Sequence, residues 1–534
     1  MSEPQRIDLD ETEAEALLRR LNEGHMDPKD RELLAAIVKG WLWLSRVVRD
    51  KRISINELKK LIFGAKSEKT RQVLKDKPAV KPNAKGSAPK DKPQGHGRNG
   101  AAAYTGAERI RIDCPRLCVG DQCPACQKGK LRALAPSQIV CISGQAPIQA
   151  KVYELERLRC ALCGALFNAP TPPEAVGPKY DPSAASMLSV LHYGSGLPFN
   201  RLDALQTNLG IPLPSSTQWD VVNGLAAEAL PVFDEVSRYA AGGEIFYNDD
   251  TKGRVLDLEK EIAKELEACR AQGKECRTGV FTTGIISERD GRRVGLFFTG
   301  RQHAGENLGD LLARRPEGLP TPIQMCDALS RNAPGDFKRL LANCLCHGRR
   351  EFVKIFEDFP DPCLHVLETL REIYKNDALT KEQGMSKEDR LQFHQQHSAP
   401  IMETFFTWLN DQLDQKRVEP NSSMGGAINY MIKHGKELTL FLRVPGAPLD
   451  NNVCEAALKT PIRHRNNSLF FKTERGAFVG DLFMSLIHTC RLNGVNAFAY
   501  LHAIAQNPRQ AAAAPAQWLP WNYQQALAHC APDG

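Results

Sequence analysis

Apolar residues recur at helical spacing in EAEALLRRL, LLAAIVKGWLWLSRVV and INELKKLIF, so residues 8–62 predict helices. Asp27-Pro28 and Ser54 are breaks or caps between them. This apolar stripe is richer than a lone surface helix needs, so it packs on a partner helix, on a second copy or on its own domain. The periodicity stops at 75–103, where Lys, Pro and Gly dominate and aromatic residues are absent. Such a stretch buries too little apolar surface to offset its ordering entropy and predicts a flexible linker. Helical periodicity resumes over 169–243. Pro182 to Leu191 forms one run there, and Ser215-Ser216-Thr217 is placed to cap WDVVNGLAAEALPVFDEV.

At residue 244 the period changes. EIFYNDD is a short aromatic-rich strand, and VFTTGIISERDGRRVGLFFTG is a hairpin turning at Arg289-Asp290-Gly291-Arg292. NLGDLLARR is helical, and TPIQMCDAL is a strand ending in Asp327. FKRLLANCLCHGRREFVKIF mixes strand and helix. Residues 360–440 and 450–505 are helical. The expected class is multidomain α+β, with an α/β core carrying a helical insertion. The expected organisation is an N-terminal helical region at 1–72, a disordered basic linker at 73–107 and a cysteine-rich domain at 108–168. A helical DNA-binding or bridging region at 169–243, a core at 244–505 with its insertion at about 360–440, and a tail at 506–534 complete it. There is no internal repeat.

Composition narrows the class without naming an activity. The 534 residues are 42% hydrophobic and 25% charged, as in ordinary globular proteins. No apolar run is long enough for a membrane span. The N-terminus is acidic and lacks a basic region followed by an apolar one, so a cytoplasmic location is expected. The net charge is +7, yet residues 51–100 alone hold 14 Lys/Arg against 4 Asp/Glu. A basic segment on a near-neutral body suits a polyanion, most simply nucleic acid; a solvated linker is the plain alternative.

Sixteen cysteines without an export signal read as reduced thiols, metal ligands or small buried residues rather than disulfides. Cys123-Pro-Ala-Cys126 and Cys160-Ala-Leu-Cys163 form two CxxC pairs, whose spacing turns both thiolates of each pair toward one tetrahedral zinc ion. Four cysteines close the coordination sphere, so the zinc is structural. Cys114 and Cys118 form a looser CxxxC that can replace the first pair. KLRAL and QIVCI between the pairs alternate as ribbon strands do.

Three acids stand out. Asp249 ends EIFYNDD, Asp327 ends TPIQMCD, and Glu455 lies in PLDNNVCEAALKTPIRHR, a helix with Asp450 or Asn451 near its start. Two carboxylates at neighbouring strand ends with a third from a helix can hold two divalent ions, with Mg²⁺ the natural choice. Spacing alone does not separate these acids from solvated strand ends or helix caps. Asp249 and Asp250 point to opposite faces of a strand, so only one can join such a site.

In chain order, these pieces resemble the transposases of the insertion-sequence-66 family, a DDE group with an RNase-H-like catalytic core. Phe63-Gly-Ala-Lys-Ser-Glu-Lys69 resembles the family's FG..SEK segment, and the two CxxC pairs its zinc-binding domain. Gly196-Leu-Pro198 with Arg201 is similar to GLPxxR, and Tyr247-Asn-Asp-Asp-Thr251 to HxDET. Met325-Cys-Asp327 falls where the second Asp is expected. Cys346-His-Gly-Arg-Arg-Glu-Phe352 resembles AHARRKF, and Asp450-Asn-Asn-Val-Cys-Glu455 resembles DNNxxER. The resemblance implies that Asp249, Asp327 and Glu455 are the catalytic carboxylates and Mg²⁺ ligands. It also marks departures: Asn-Asp-Asp in place of His-x-Asp-Glu, a charged insertion at 257–279, and Ala456 where the family has Arg.

The activity implied is cutting and joining DNA at the ends of an insertion element. His347, Arg349, Arg350, Arg463 and Arg465 are the expected phosphate contacts. The expected partners are terminal inverted repeats, target DNA, further copies of the chain and accessory transposition proteins, with no membrane. The alternative from a second class is a zinc-containing DNA-binding protein, derived from a transposase, that no longer cuts. A third is a zinc scaffold for protein assembly.

Overall fold

The computed structural model describes residues 147–159, 166–272 and 276–530, with isolated positions in 20–35 and 119–130. The linker at 73–107, KLRAL apart from Lys130, QIVCI and nearly all of the N-terminal helical stretch lie outside the described residues. The chain divides into two compact units, Met1–Ala79 with Arg349–Tyr374, and Val80–Gly348 with Lys375–Gly534.

In the smaller unit, Asp27 Oδ1 accepts from the Asp30 amide at 2.7 Å, the capping role its Asp-Pro sequence predicts. Asp30 in turn receives both arms of Arg20 at 2.9 Å. Cys363, Val366, Leu367, Leu370 and Ile373 are fully buried at helical spacing.

The larger unit opens with a two-stranded antiparallel ribbon, β1 (Arg157–Arg159) and β2 (Leu166–Asn168). Helices α1 (Pro182–Ser189), α2 (Phe199–Asn208) and α3 (Ser215–Ala241) follow, with a π-turn at Val190–Gly194 between the first two. The serines expected to cap α3 do not: Ser215 is its first residue, after Pro214. The cap comes from α2 instead. Asp203 Oδ2 accepts from the Ser215 amide at 3.2 Å and its hydroxyl at 3.3 Å.

The central sheet is mixed, in the order β5-β4-β3-β6-β7. Its strands are β3 (Ile245–Lys252), β4 (Phe281–Arg289), β5 (Arg292–Gly300), β6 (Ile323–Cys326) and β7 (Leu340–Asn343). β3, β4 and β5 run antiparallel, while β6 and β7 run parallel to β3. The hairpin turns at Asp290 and Gly291, both at positive φ (51° and 72°), as a two-residue turn matched to strand twist requires. Ile245 to Asn248 of β3 are all buried, as expected of a strand covered on both faces.

The helices that follow in the chain are α4 (Leu256–Gln272), α5 (Ala304–Leu312), α6 (Leu345–Lys354), α7 (Pro360–Glu382), α8 (Lys387–His397), α9 (Ala399–Asp414), α10 (Ser423–Lys433) and α11 (Gly435–Leu438), of which α6 from Arg349 and α7 as far as Tyr374 belong to the smaller unit. The chain closes with α12 (Asn452–Ser468), α13 (Glu474–Leu492), α14 (Ala497–Gln506), α15 (Pro508–Ala513) and α16 (Tyr523–Cys530). The charged 257–279 segment is helical as far as Gln272, in α4, whose Leu258 and Ile262 are buried with Val255, Val280 and Ala477 in a small separate core. Cys269, in the last turn of α4, and Cys276 are joined as a disulfide. That corrects the expectation of thiols only: the end of the helix folds back and brings their Cα atoms to 6.3 Å, within bridging range.

Helix α13 is buried almost all round and lies along β5, the sheet edge. Its Asp481, Ser485 and Thr489, spaced by four, accept the β5 amides of Thr299 (2.6 Å), Phe297 (2.9 Å) and Gly295 (3.1 Å). A row of side chains thus stands where a further strand would supply carbonyls. Burial pushes the Asp481 carboxyl up to about 7 against these bonds.

Behind the sheet, His192 and His464 meet at 3.2 Å between their Nε2 atoms, among Tyr193, Phe199 and Phe471. His192 Nδ1 lies 2.8 Å from the Leu197 carbonyl and donates to it, so His464 donates to His192 Nε2. Burial lowers His192 to about 4; burial and then His192 lower His464 to about 3. Both folded values lie below the ordinary 6.5, so the pair's contribution is complete above that pH and is lost as pH falls toward 4. Urea titrations should show the advantage of the parent over His464→Gln shrinking by about 1–3 kcal/mol between pH 7 and pH 4.5. A pH-independent difference would remove this account.

Candidate active site

The register of the sheet sets up the site. Tyr247 of β3 pairs with Met325 of β6 in parallel. Asp249 and Asp327 each lie two residues further on, so they share a face. Asp327 falls just past the end of β6, but Asp249 does not end its strand as expected, because β3 stays paired with β4 as far as Lys252. Asn248 points the other way, where its Oδ1 accepts from Gln324 Nε2 at 2.8 Å. Asp250 shares that opposite face. Its carboxylate is almost fully buried, 2.9 Å from His303 Nδ1 and 3.4 Å from Arg331. His303 is held in turn at the start of α5, by Glu306 accepting from its amide at 2.8 Å and by Phe281 against its ring.

Asp327 is buried and accepts from the Leu329 amide at 3.2 Å and from Asn332 Nδ2. Glu455 sits in the first turn of α12. Three bonds pin that turn to its surroundings. Asn451 Nδ2 donates to the Asn248 carbonyl at 3.2 Å, the Asn451 amide to Cys344 Sγ at 3.2 Å, and Cys454 Sγ to the Gly284 carbonyl at 3.3 Å. Glu455 Oε1 lies 3.6 Å from His347 Nδ1 at the start of α6. The ligand atoms of Cys344, His347 and Glu455 all fall within 4.8 Å of one another.

The three acids act on one electric field. Burial, then the Asp327 charge, push Asp249 up to about 7; Asp250 and Glu455 add to the rise, and the Asp250 amide offsets part of it. Carboxylates held together out of water oppose one another's ionisation. A divalent cation relieves that opposition, and a donor set of carboxylate oxygens suits a hard ion.

The expected basic contacts divide. Arg465 donates to Thr251 Oγ1 at 3.4 Å and to the Lys252 carbonyl, which ties it to the end of β3. Arg463, two residues earlier on α12, is exposed. Arg349 is buried and Arg350 half-buried on α6. Cys123, Cys126, Cys160 and Cys163 lie outside the described residues. Sequence reading passed over Cys344, His303 and Arg331. Only Arg331, four residues after Asp327, carried a positional signal; the other two owe their place to tertiary packing.

A family model described as "Transposase IS66 family" matches residues 178–478, more than half of the chain and all three acids. The chain belongs to the IS66 transposase family. This IS66-family chain is 26% identical to the uncharacterized protein y4jD of Sinorhizobium fredii (strain NBRC 101917 / NGR234) over 512 residues, covering 90% of the chain and 96% of the relative. The uncharacterized protein y4hP of the same strain is 24% identical over 449 residues, covering 79% and 76%. No solved structure matches the chain. An IS66 transposase acts on DNA and uses a divalent metal. Among the described residues, no helix is long and apolar enough to cross a membrane.

Proposed function

We propose that this chain cuts DNA at the ends of an insertion element and joins it to a target, using Asp249, Asp327 and Glu455 on an RNase-H-like core. One observation carries the reading. Asp249 within β3 and Asp327 just past β6 lie at matching positions on adjacent parallel strands of a β5-β4-β3-β6-β7 sheet, and both the second acid and Glu455 bear on Asp249. Asp249, Asp327 and Glu455 would hold Mg²⁺, which when bound supplies charge neutralisation at the phosphate and a more acidic attacking oxygen. The residues' own work is positioning. Asn451, Cys454 and Cys344 fix the start of α12, so Glu455 stays close enough to raise Asp249. His303 and Arg331 hold Asp250 away on the other face of β3, leaving Asp249 as the inward acid.

The proposal extends to a structural zinc module at 108–168, with Cys123, Cys126, Cys160 and Cys163 as thiolate ligands. Gln122 bridges Lys130 in antiparallel fashion across the first pair, and Arg157–Arg159 pairs with Leu166–Asn168 across the second. The described residues on either side of each CxxC are thus paired antiparallel, an arrangement that suits a zinc knuckle. Joining two element ends calls for at least two copies of the chain at work together.

The test is strand cleavage and transfer on DNA carrying the element's ends, with Mg²⁺ or Mn²⁺. Asp327→Asn and Glu455→Gln should each lose roughly 10²–10³-fold in rate. Parental rates in both variants would remove the catalytic reading, and DNA binding without cutting by the parent would favour the non-catalytic one.

A further inference from the structure

We propose that the cleft between α12 and α13 seats the phosphate backbone of DNA beside the acid site. The inference rests on the reading of Glu455 as a catalytic acid. Glu455, Lys459 and Arg463 follow one another at intervals of four on α12. Residues so spaced share one side of a helix and climb its axis by about 6 Å per step. A cavity of about 580 Å³ lies along this side, lined by Ala456, Lys459, Thr460 and Arg463 of α12 and by His488 and Arg491 of α13.

Its chemistry is that of an anion site. Lys459, Arg463 and Arg491 are exposed, no carboxylate lines the cleft, and none of the three is in an ion pair among the described residues. His488 is 8% exposed, and among the described residues neither of its ring nitrogens has a hydrogen-bond partner. A buried donor without a partner is costly to the fold and is a ready contact for a ligand oxygen. The ring is held by Phe297 at 5.7 Å, edge to face. Burial, then Arg491, lower it to about 4, so at neutral pH it offers a neutral N–H. Ala456, one residue past Glu455, lines the cleft, is exposed and is small, so it leaves room for a ligand there.

A phosphodiester strand fits better than an acidic peptide because the cationic row continues directly from the acid that would act on such a strand. Apolar Val453 and Ala457 in the wall suit the sugar edge between phosphates.

The experiment uses the full chain, a fluorescein-labelled DNA duplex carrying the element's end, and EDTA, so that neither metal nor cutting is needed. Lys459→Ala/Arg463→Ala/Arg491→Ala should weaken binding about tenfold or more at moderate salt, and should lower the slope of log affinity against log [NaCl] by about 2–3. Exposed side chains are replaced, so the melting temperature should hold. A photocrosslinking amino acid in place of Ala456 should yield a DNA adduct, and one in place of exposed Leu379 should not. An unchanged slope, equal adducts from both positions, or loss of poly-glutamate binding with DNA binding intact would each overturn the inference. The readout is separate from the catalytic test: a chain that never cuts can still show the slope change, and a chain that cuts with the slope unchanged has lost the cleft alone.

Discussion

Asp249→Asn is expected to lose about 10²–10³-fold in cleavage rate and, in metal-free buffer at pH 8, to unfold at a higher temperature than the parent. The two effects share one cause. Burial and the neighbouring acids hold Asp249 at about 7 in the fold, above the ordinary 3.8. A carboxyl raised in this way stabilises the fold below its unfolded pKa, and that stability is lost as pH rises through about 7. At pH 8 the parent therefore carries an ionised group among like charges. Asparagine has the same shape, keeps an oxygen for the Asp250 amide and cannot ionise. The gain should be about 2–4 kcal/mol at pH 8 and should vanish near pH 4. Mg²⁺ should raise the parent's melting temperature more than the variant's, since a ligand of the folded state stabilises by mass action. Calorimetry at the two pH values, with and without Mg²⁺, checks this. A variant less stable than the parent at pH 8, or one that cuts at the parental rate, refutes the shared-field description.

Gly284→Val should cut cleavage by about 10²-fold while leaving a folded protein. Gly284 pairs with Asp249 across β3 and β4, and α12 lies directly upon it. A Cβ there would stand 2.9 Å from Leu458 Cδ2 and 3.5 Å from Cys454 Sγ. Leu458 can shift a little, so Gly284→Ala is the milder case. The branched valine must push the helix outward, and Glu455 follows Cys454. Overpacking of this kind destabilises by about 1–3 kcal/mol, and a displacement near 1 Å in a catalytic group is the larger loss. Single-turnover cleavage read beside a thermal melt separates the two contributions. Parental cleavage by Gly284→Val would show that the position of α12 is not critical.

Much of this fold was legible because its signals are local. The Asp-Gly hairpin, the strands that carry Asp249 and lead into Asp327, and the helix beginning after Asn451 follow from turn chemistry and periodicity, although β3 runs on to Lys252 and Asn451 caps nothing with its side chain. The resemblance then joined acids that lie far apart in the chain. Residues whose role depends on a distant partner were not legible. Asp203 caps α3 from another helix, and the disulfide needs the fold-back after α4. Arg465 reads as a phosphate contact until its partner at the end of β3 is seen, and His488 carries no signal before its surroundings do. The cationic row on α12 was half visible: Arg463 was named, but Lys459 and Arg491 join it only when two helices are packed.

The three bonds from α13 to β5 have a consequence for incomplete chains. Asp481, Ser485 and Thr489 are made late, after every strand of the sheet has left the ribosome. A polypeptide ending short of them keeps all five strands but leaves the amides at 295, 297 and 299 without acceptors, on an open border that a second such fragment can extend. Nonsense truncations upstream of residue 481 should therefore collect as insoluble material rather than persist as soluble inhibitors of the intact enzyme.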